Sequence, residues 1–300
     1  MGFFALTVAS WSLSWYALSL QVGAGVAVQT SLMWRFVLAA AIMFVWALAV
    51  KSPLRFPPRR HAVFAALGFF IFCLNFMLFY YGSAYLVSGL LSVVFSLASV
   101  INMVIGFALS RRAPTLRVAI GAVLGFAGIA LMFAPEIAGQ DWAGGAAFGL
   151  LLCIGGTLSF CTGNQISARL QAARIPVISA SAWGMAYGAL ASGLLALVLG
   201  KPLAPSSDPV WLWSLLFLAV VSSVVAFWAY LTLLGRIGAS RAGYATVVFP
   251  VFALLLSTFV EDYRFAPVAI LGLAFVMAGN VMVLGRRKPA PGVSSPTGRR

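Results

Sequence analysis

Charge is what this chain has least of. Only 8% of its 300 residues are charged, and 5 acids face 19 lysines and arginines. A soluble domain carries roughly 25% charged residues, so this composition cannot cover a water-exposed surface. With 63% hydrophobic residues and a mean hydropathy of +1.05, the solvent for most of the chain must be lipid.

Acids are missing from the apolar runs altogether. Glu136, Asp141, Asp208, Glu261 and Asp262 all fall between them. Carriers coupled to protons or sodium usually keep an acid on the path, so obligate coupling is disfavoured, as is a cationic drug as substrate. Lysine is also absent from the runs, and Arg35 is their one arginine toward the outer side, which argues against a phosphate-bearing solute. A neutral, zwitterionic or apolar solute remains. Cys73, Cys153 and Cys161 all lie within apolar runs, where a disulfide framework is not expected. No H-E-x-x-H, G-x-S-x-G, P-loop or Cys/His cluster occurs, so neither an enzyme, a cofactor nor a metal site is expected. Residues 1–28 hold no Lys or Arg, so the basic start of a removable signal peptide is missing and the first run should stay as a helix.

Ten runs reach the roughly 20 apolar residues that a spanning helix needs: about 3–20, 30–50, 62–82, 86–109, 115–133, 144–165, 177–199, 211–234, 240–259 and 266–284. The net charge of +14 could suggest nucleic acid, but the cations sit in short loops. Sixteen of the 19 follow an even-numbered run, while all five acids follow odd-numbered ones. That is the positive-inside signature, and it puts both termini in the cytoplasm.

The chain also repeats itself. Residues 84–132 overlay 235–283 at a shift of 151, matching Val100 to Val251, Gly121 to Gly272 and Ala127-Gly128 to Ala278-Gly279. Trp34 likewise aligns with Trp183. Five spans per half is an odd number, so the second half enters the membrane inverted. The expected organisation is all-α: a first repeat at 1–134, an external linker at 135–142, an inverted repeat at 143–285 and a basic disordered tail at 286–300. Runs one to four and six to nine should enclose a central cavity, with the glycine-rich fifth and tenth peripheral. Inverted repeats place a site near the midplane and work by alternating access.

Polar residues inside spans are costly and mark candidate sites. Ser88, Ser92, Ser96 and Ser99 form one helical stripe that Asn102 extends. It either lines the cavity or lets helices pack closely. Ser179, Trp183 and Tyr187 share a face, as candidate solute contacts or packing aromatics. Trp11, Trp15, Tyr16 and Trp228 pose the same choice. Asn75 is central in its span and binds either solute or a neighbouring helix. Asn164 is expected to make a helix contact. Tyr80, Tyr81 and Tyr85 should form an outer belt or gate. Arg35 either snorkels to the outer interface or attracts a carboxylate. His61 shows no partner in the sequence.

Leu234-Gly-Arg-Ile-Gly-Ala-Ser-Arg-Ala-Gly243 with Val248-Phe-Pro250-Val-Phe resembles the ninth-helix motif of the drug/metabolite transporter superfamily, EamA type, as does Trp34-Arg35-Phe36 at the second helix. The likeness covers the whole ten-helix layout and implies a bacterial inner-membrane metabolite carrier. Within the family, the chain looks most like the YddG-type exporters of aromatic and other neutral amino acids. The partners so implied are a small solute and the bilayer, for a monomer or weak homo-oligomer. Two positions depart from the pattern: Ser110 stands where the first half would carry an acid matching Glu261, and Ser99 stands opposite Pro250. The alternatives are a proton-antiporting exporter of hydrophobic drugs or metabolites, or a lipid-flipping or structural membrane protein.

Overall fold

A computed structural model describes residues 2–110, 116–138, 145–237, 242, 244–261 and 266–284. Every regular element among the described residues is helical. The spans are α1 (Gly2–Gly23), α2 (Val28–Ala49), α3 (Pro58–Gly82), α4 (residues 88–110), α5 (Leu116–Ala138), α6 (Ala146–Ala172), α7 (Val177–Val198), α8 (Pro209–Ile237), α9 (Tyr244–Val260) and α10 (Pro267–Leu284). Arg241, Asp262, Asp141 and the 286–300 tail lie outside the described residues.

The repeat is written into the backbone as well as the sequence. Both α3 and α8 widen into an eight-residue π segment, Gly68–Asn75 and Leu218–Val225, 150 positions apart. Residues with left-handed φ stop α1, α2, α6 and α7: Gly25, Lys51, Arg174 and Gly200. They pair as 25 with 174 and 51 with 200, each 149 apart. Lys51 and Gly200 close identical C-terminal motifs, in which the amides of Ser52 and Lys201 reach back to the carbonyls of Ala47 and Ala196. The fourth helix of each half is also weakened at one level. In α4, Ser96 and Ser99 donate to carbonyls three residues back, and the helix breaks at Leu97. In α9, Pro250 removes a backbone donor.

Packing follows the same two-fold logic. The pairs α1·α8 and α6·α3, α2·α8 and α7·α3, and α1·α9 and α6·α4 are repeat-equivalent, and α2·α7 and α4·α9 meet across the axis. These eight helices form a closed ring. α5 and α10 pack mainly on each other outside it, antiparallel through their glycines. A β-carbon built at Gly128 would lie 2.5 Å from the Gly272 carbonyl, and one at Gly279 would lie 2.5 Å from that of Gly121. The glycines that matched at a shift of 151 are therefore the two equivalent crossings of one pseudo-symmetric contact.

Candidate functional site

Inside the ring, α1, α2, α3, α4 and α8 converge on a small cavity. Trp11, Trp15, Phe76, Phe79, Phe95 and Phe227 make its walls, and Ser14, Arg35, Asn75 and Ser222 are its polar groups. Its volume is about 30 Å³, room for one or two waters. The rings interlock at steep angles: Trp15 lies edge to face 5.0 Å from Phe79 and tilted 5.4 Å from Phe95, and Trp11 lies edge to face 5.2 Å from Phe227.

Arg35 does not snorkel. It is fully buried, with its guanidinium turned inward 4.2 Å from the centre of the Phe76 ring. Its Nε donates to Ser223 Oγ at 2.9 Å, Nη2 to Ser222 Oγ at 3.2 Å and Nη1 to Tyr80 Oη at 3.3 Å. Both serines come from the π segment of α8, which turns two successive hydroxyls toward one partner. No carboxylate is among these partners, and three of the five N–H donors are used. A buried cation held only by neutral hydroxyls carries a desolvation cost of several kcal/mol. Tyr80 passes the chain of bonds on, donating to Gln21 Oε1 at 2.5 Å. Tyr80 therefore belongs to this internal network and not to the outer belt expected for it.

Two further groups at the cavity lack protein partners, Trp15 Nε1 and Asn75 Oδ1. Asn75 Nδ2 donates to the Ile71 carbonyl at 3.2 Å, which fixes the amide and leaves its oxygen free. The cavity thus presents a cation, an unpaired donor and an unpaired acceptor between aromatic walls.

Arg35, Asn75 and Trp15 are thus brought together, and the other expected site residues lie elsewhere. Ser96 and Ser99 face α10, where Ser99 donates to Asn280 Oδ1 and Asn280 Nδ2 donates to Ser96, while Ser92 donates to the Gly89 carbonyl of its own helix. Phe95 is what α4 shows the cavity. Asn102 accepts from Gln165 on α6. Trp183 Nε1 donates to the Leu54 carbonyl at 3.1 Å and Tyr187 Oη lies 3.0 Å from His61 Nδ1, both at the cytoplasmic end. His61, which shows no partner in the sequence, also packs its ring 4.5 Å from that of Trp183. Trp228 meets Phe3 and Trp46, also toward the cytoplasm. Tyr81 Oη accepts from Gln29 at the outer rim. Sequence reasoning missed Phe76, Phe95, Phe227 and Ser222 as cavity residues. The spacing of Trp11, Trp15 and Leu18 marks one wall, but single phenylalanines in apolar runs carry no such signal.

Trp34 and Trp183 are aligned for a reason outside the cavity. Trp34 Nε1 donates to the Leu203 carbonyl at 2.8 Å and Trp183 Nε1 to that of Leu54, and 54 and 203 are again 149 apart. Each tryptophan pins the loop that follows the equivalent helix of the other half, one on each side of the membrane.

Two described acids are built into helix ends of the ring: Asp208 accepts from the Val210 and Trp211 amides and caps α8, and the second is Glu261, just past the end of α9. It accepts from Ser257 Oγ, from the backbone N–H and hydroxyl of Ser88, and from Ser19 Oγ. It therefore caps α4 at the outer face, where a carboxylate is favoured, and ties α1, α4 and α9 together.

Comparison with known proteins agrees with this architecture. The EamA-like transporter family matches residues 1–134 and 147–285. The chain is 28% identical to an uncharacterized transporter, YoaV of Bacillus subtilis, over 214 residues, 69% of this chain and 71% of that one. It is 22% identical to the protein PagO of Salmonella typhimurium over 287 residues, 95% of this chain and 92% of the other. A crystal structure 18% identical in sequence superposes with a TM-score of 0.70, covering 93% of this chain and 94% of that one, which shows a common fold. With ten helices in two inverted halves, and a family match across both, this chain belongs to the EamA-like transporters of the drug/metabolite transporter superfamily.

Proposed function

We propose that the chain carries small zwitterionic metabolites, chiefly amino acids with apolar or aromatic side chains, across the bacterial inner membrane by alternating access. The observation that carries this reading is the Arg35 guanidinium, fully buried, without an acid, and opening on an aromatic-walled cavity. A solute carboxylate takes its remaining donors, which offsets the desolvation cost. The free Asn75 oxygen accepts from the solute ammonium, and the Phe and Trp faces take the side chain. The outward direction rests on the family resemblance. Obligate ion coupling is left out of the proposal because no acid faces the cavity among the described residues.

Counterflow of labelled L-phenylalanine in proteoliposomes tests the site chemistry. Unlabelled L-phenylalanine should compete at least tenfold better than its amide, which lacks the carboxylate, and better than 3-phenylpropionate, which lacks the ammonium. Equal competition by all three would remove the zwitterion and leave only an apolar pocket.

One observation favours a second reading. An apolar groove of about 650 Å³ runs between α1 and α9, lined by Phe4, Val8, Leu13, Phe252, Leu255 and Phe259. It would give a hydrophobic compound or a lipid a lateral route. Transport of a fluorescent phospholipid in the same vesicles, insensitive to Arg35→Met, would favour it.

A further inference from the structure

The unpaired groups at the cavity have counterparts on its cytoplasmic side. Asn164 Oδ1 and Asn102 Nδ2 are also buried without partners, in residues 0% and 3% exposed. Asn164 lies eight residues before the end of α6, as Trp15 lies eight before the end of α1, and the two are 149 apart. One orphan group therefore repeats the other about 12 Å from the opposite face. Tyr230 repeats Tyr80 at the spacing of 150 that the π segments set. Its hydroxyl accepts from Asn164 Nδ2 at 3.1 Å, as that of Tyr80 accepts from Arg35. Tyr230 and Trp11 rings, 5.0 Å apart, connect this level to the aromatic box above.

The two asparagines sit on helices in direct contact, where Gln165, next to Asn164, donates to Asn102 Oδ1 at 3.4 Å. Cys161 lies three residues before Asn164 on the same helical face, and its thiol donates to the Ala98 carbonyl at 3.4 Å, one turn before Asn102 on α4. Buried polar atoms without partners cost roughly 1–3 kcal/mol each. Two such atoms, one on each of two helices in contact, imply that something pairs with them in another state.

Resting on the zwitterionic-solute reading, we infer that Asn164, Asn102 and Tyr230 form a second, uncharged solute station, which receives the solute's ammonium and carboxylate when the ring opens to the cytoplasm. The acceptor is Asn164 Oδ1 and the donor is Asn102 Nδ2. Because this station has no cation, it binds the solute more weakly than the Arg35 level, so solute is retained at the outer station and passed through the inner one.

The test uses full-length protein reconstituted in one orientation, with labelled L-phenylalanine supplied from either side. Asn164→Leu and Asn102→Leu should each raise the half-saturating concentration about tenfold from the cytoplasmic side and less than twofold from the outside. Asn164→Ala serves if the leucine variant does not insert. Equal shifts from both sides, or none, would overturn the inner station, since a helix contact or a trapped water has no sidedness. Flux that needs Arg35 but neither asparagine would overturn it while leaving the amino-acid reading intact. No L-phenylalanine flux in the unmodified protein would overturn both.

Discussion

Two interfaces of this molecule are equivalent by its repeat and opposite in chemistry. Where α7 meets α3, Gly184 faces Phe72, and a β-carbon at Gly184 would sit 3.1 Å from that ring. Where α2 meets α8, the corresponding residues are Arg35 and Ser222, 3.2 Å apart. One contact is a ring closed onto glycine; the other opens the same space to a guanidinium and its hydroxyls. The ends of the bundle differ likewise. Glu261 caps α4 at the outer face, and Ser110 stands at its repeat-equivalent position. Symmetry builds the ring and fixes where a cavity can be, and departures from symmetry decide what it binds.

Breaking the charged member of the pair should have the largest effect. Arg35→Met keeps the side chain's length and removes its charge, and should cut L-phenylalanine flux at least 100-fold, or about 2.7 kcal/mol, with insertion unchanged by size-exclusion profile. Arg35→Lys keeps the charge but cannot fork to Ser222, Ser223 and Tyr80 at once, and should retain roughly a tenth of the flux.

Crowding the closed member comes next. Gly188→Val places a β-carbon 2.6 Å from Phe72 Cβ and should cost about 1–3 kcal/mol, read as a lower thermal midpoint in detergent. Gly128→Val, aimed at the Gly272 carbonyl, should cost a similar amount by separating α5 from α10.

The loop clamps sharpen the sidedness of the comparison. Trp34→Phe and Trp183→Phe each lose one hydrogen bond, worth about 1 kcal/mol. Limited proteolysis should then cut 199–208 from outside in the first variant and 51–57 from the cytoplasm in the second. The smallest effects belong to the turns. Lys51→Gly and Arg174→Gly relieve φ angles of 55° and 59° and should each stabilise by roughly 1 kcal/mol. Alanine at Gly25 or Gly200 should destabilise by a similar amount.

The span count, orientation and repeat were legible because each is a property of composition or spacing. Loop cations, five runs per half and a shift of 151 need no knowledge of which face points where. Arg35, Asn75 and Trp15 could be singled out because a polar group in lipid is costly. The direction of the serine stripe could not be read. Ser92 through Ser99 satisfy their hydroxyls on their own helix or on Asn280, and a stripe of small hydroxyls looks the same whether it faces a solute or a neighbour. Trp183 was misleading for a related reason. Its indole holds Leu54, a loop residue whose return to α7 no periodicity announces. The π segment that turns Ser222 and Ser223 onto Arg35 was also invisible, since it depends on a change of helical register.

The most direct measurement is uptake of labelled L-phenylalanine into sealed proteoliposomes, with and without a pH gradient, by the unmodified protein and by Arg35→Met. Equilibrating uptake that needs no gradient and is lost in Arg35→Met is the predicted result. Uptake undiminished in Arg35→Met, or present only with a gradient, would contradict an uncoupled carrier that holds its solute's carboxylate on this buried cation.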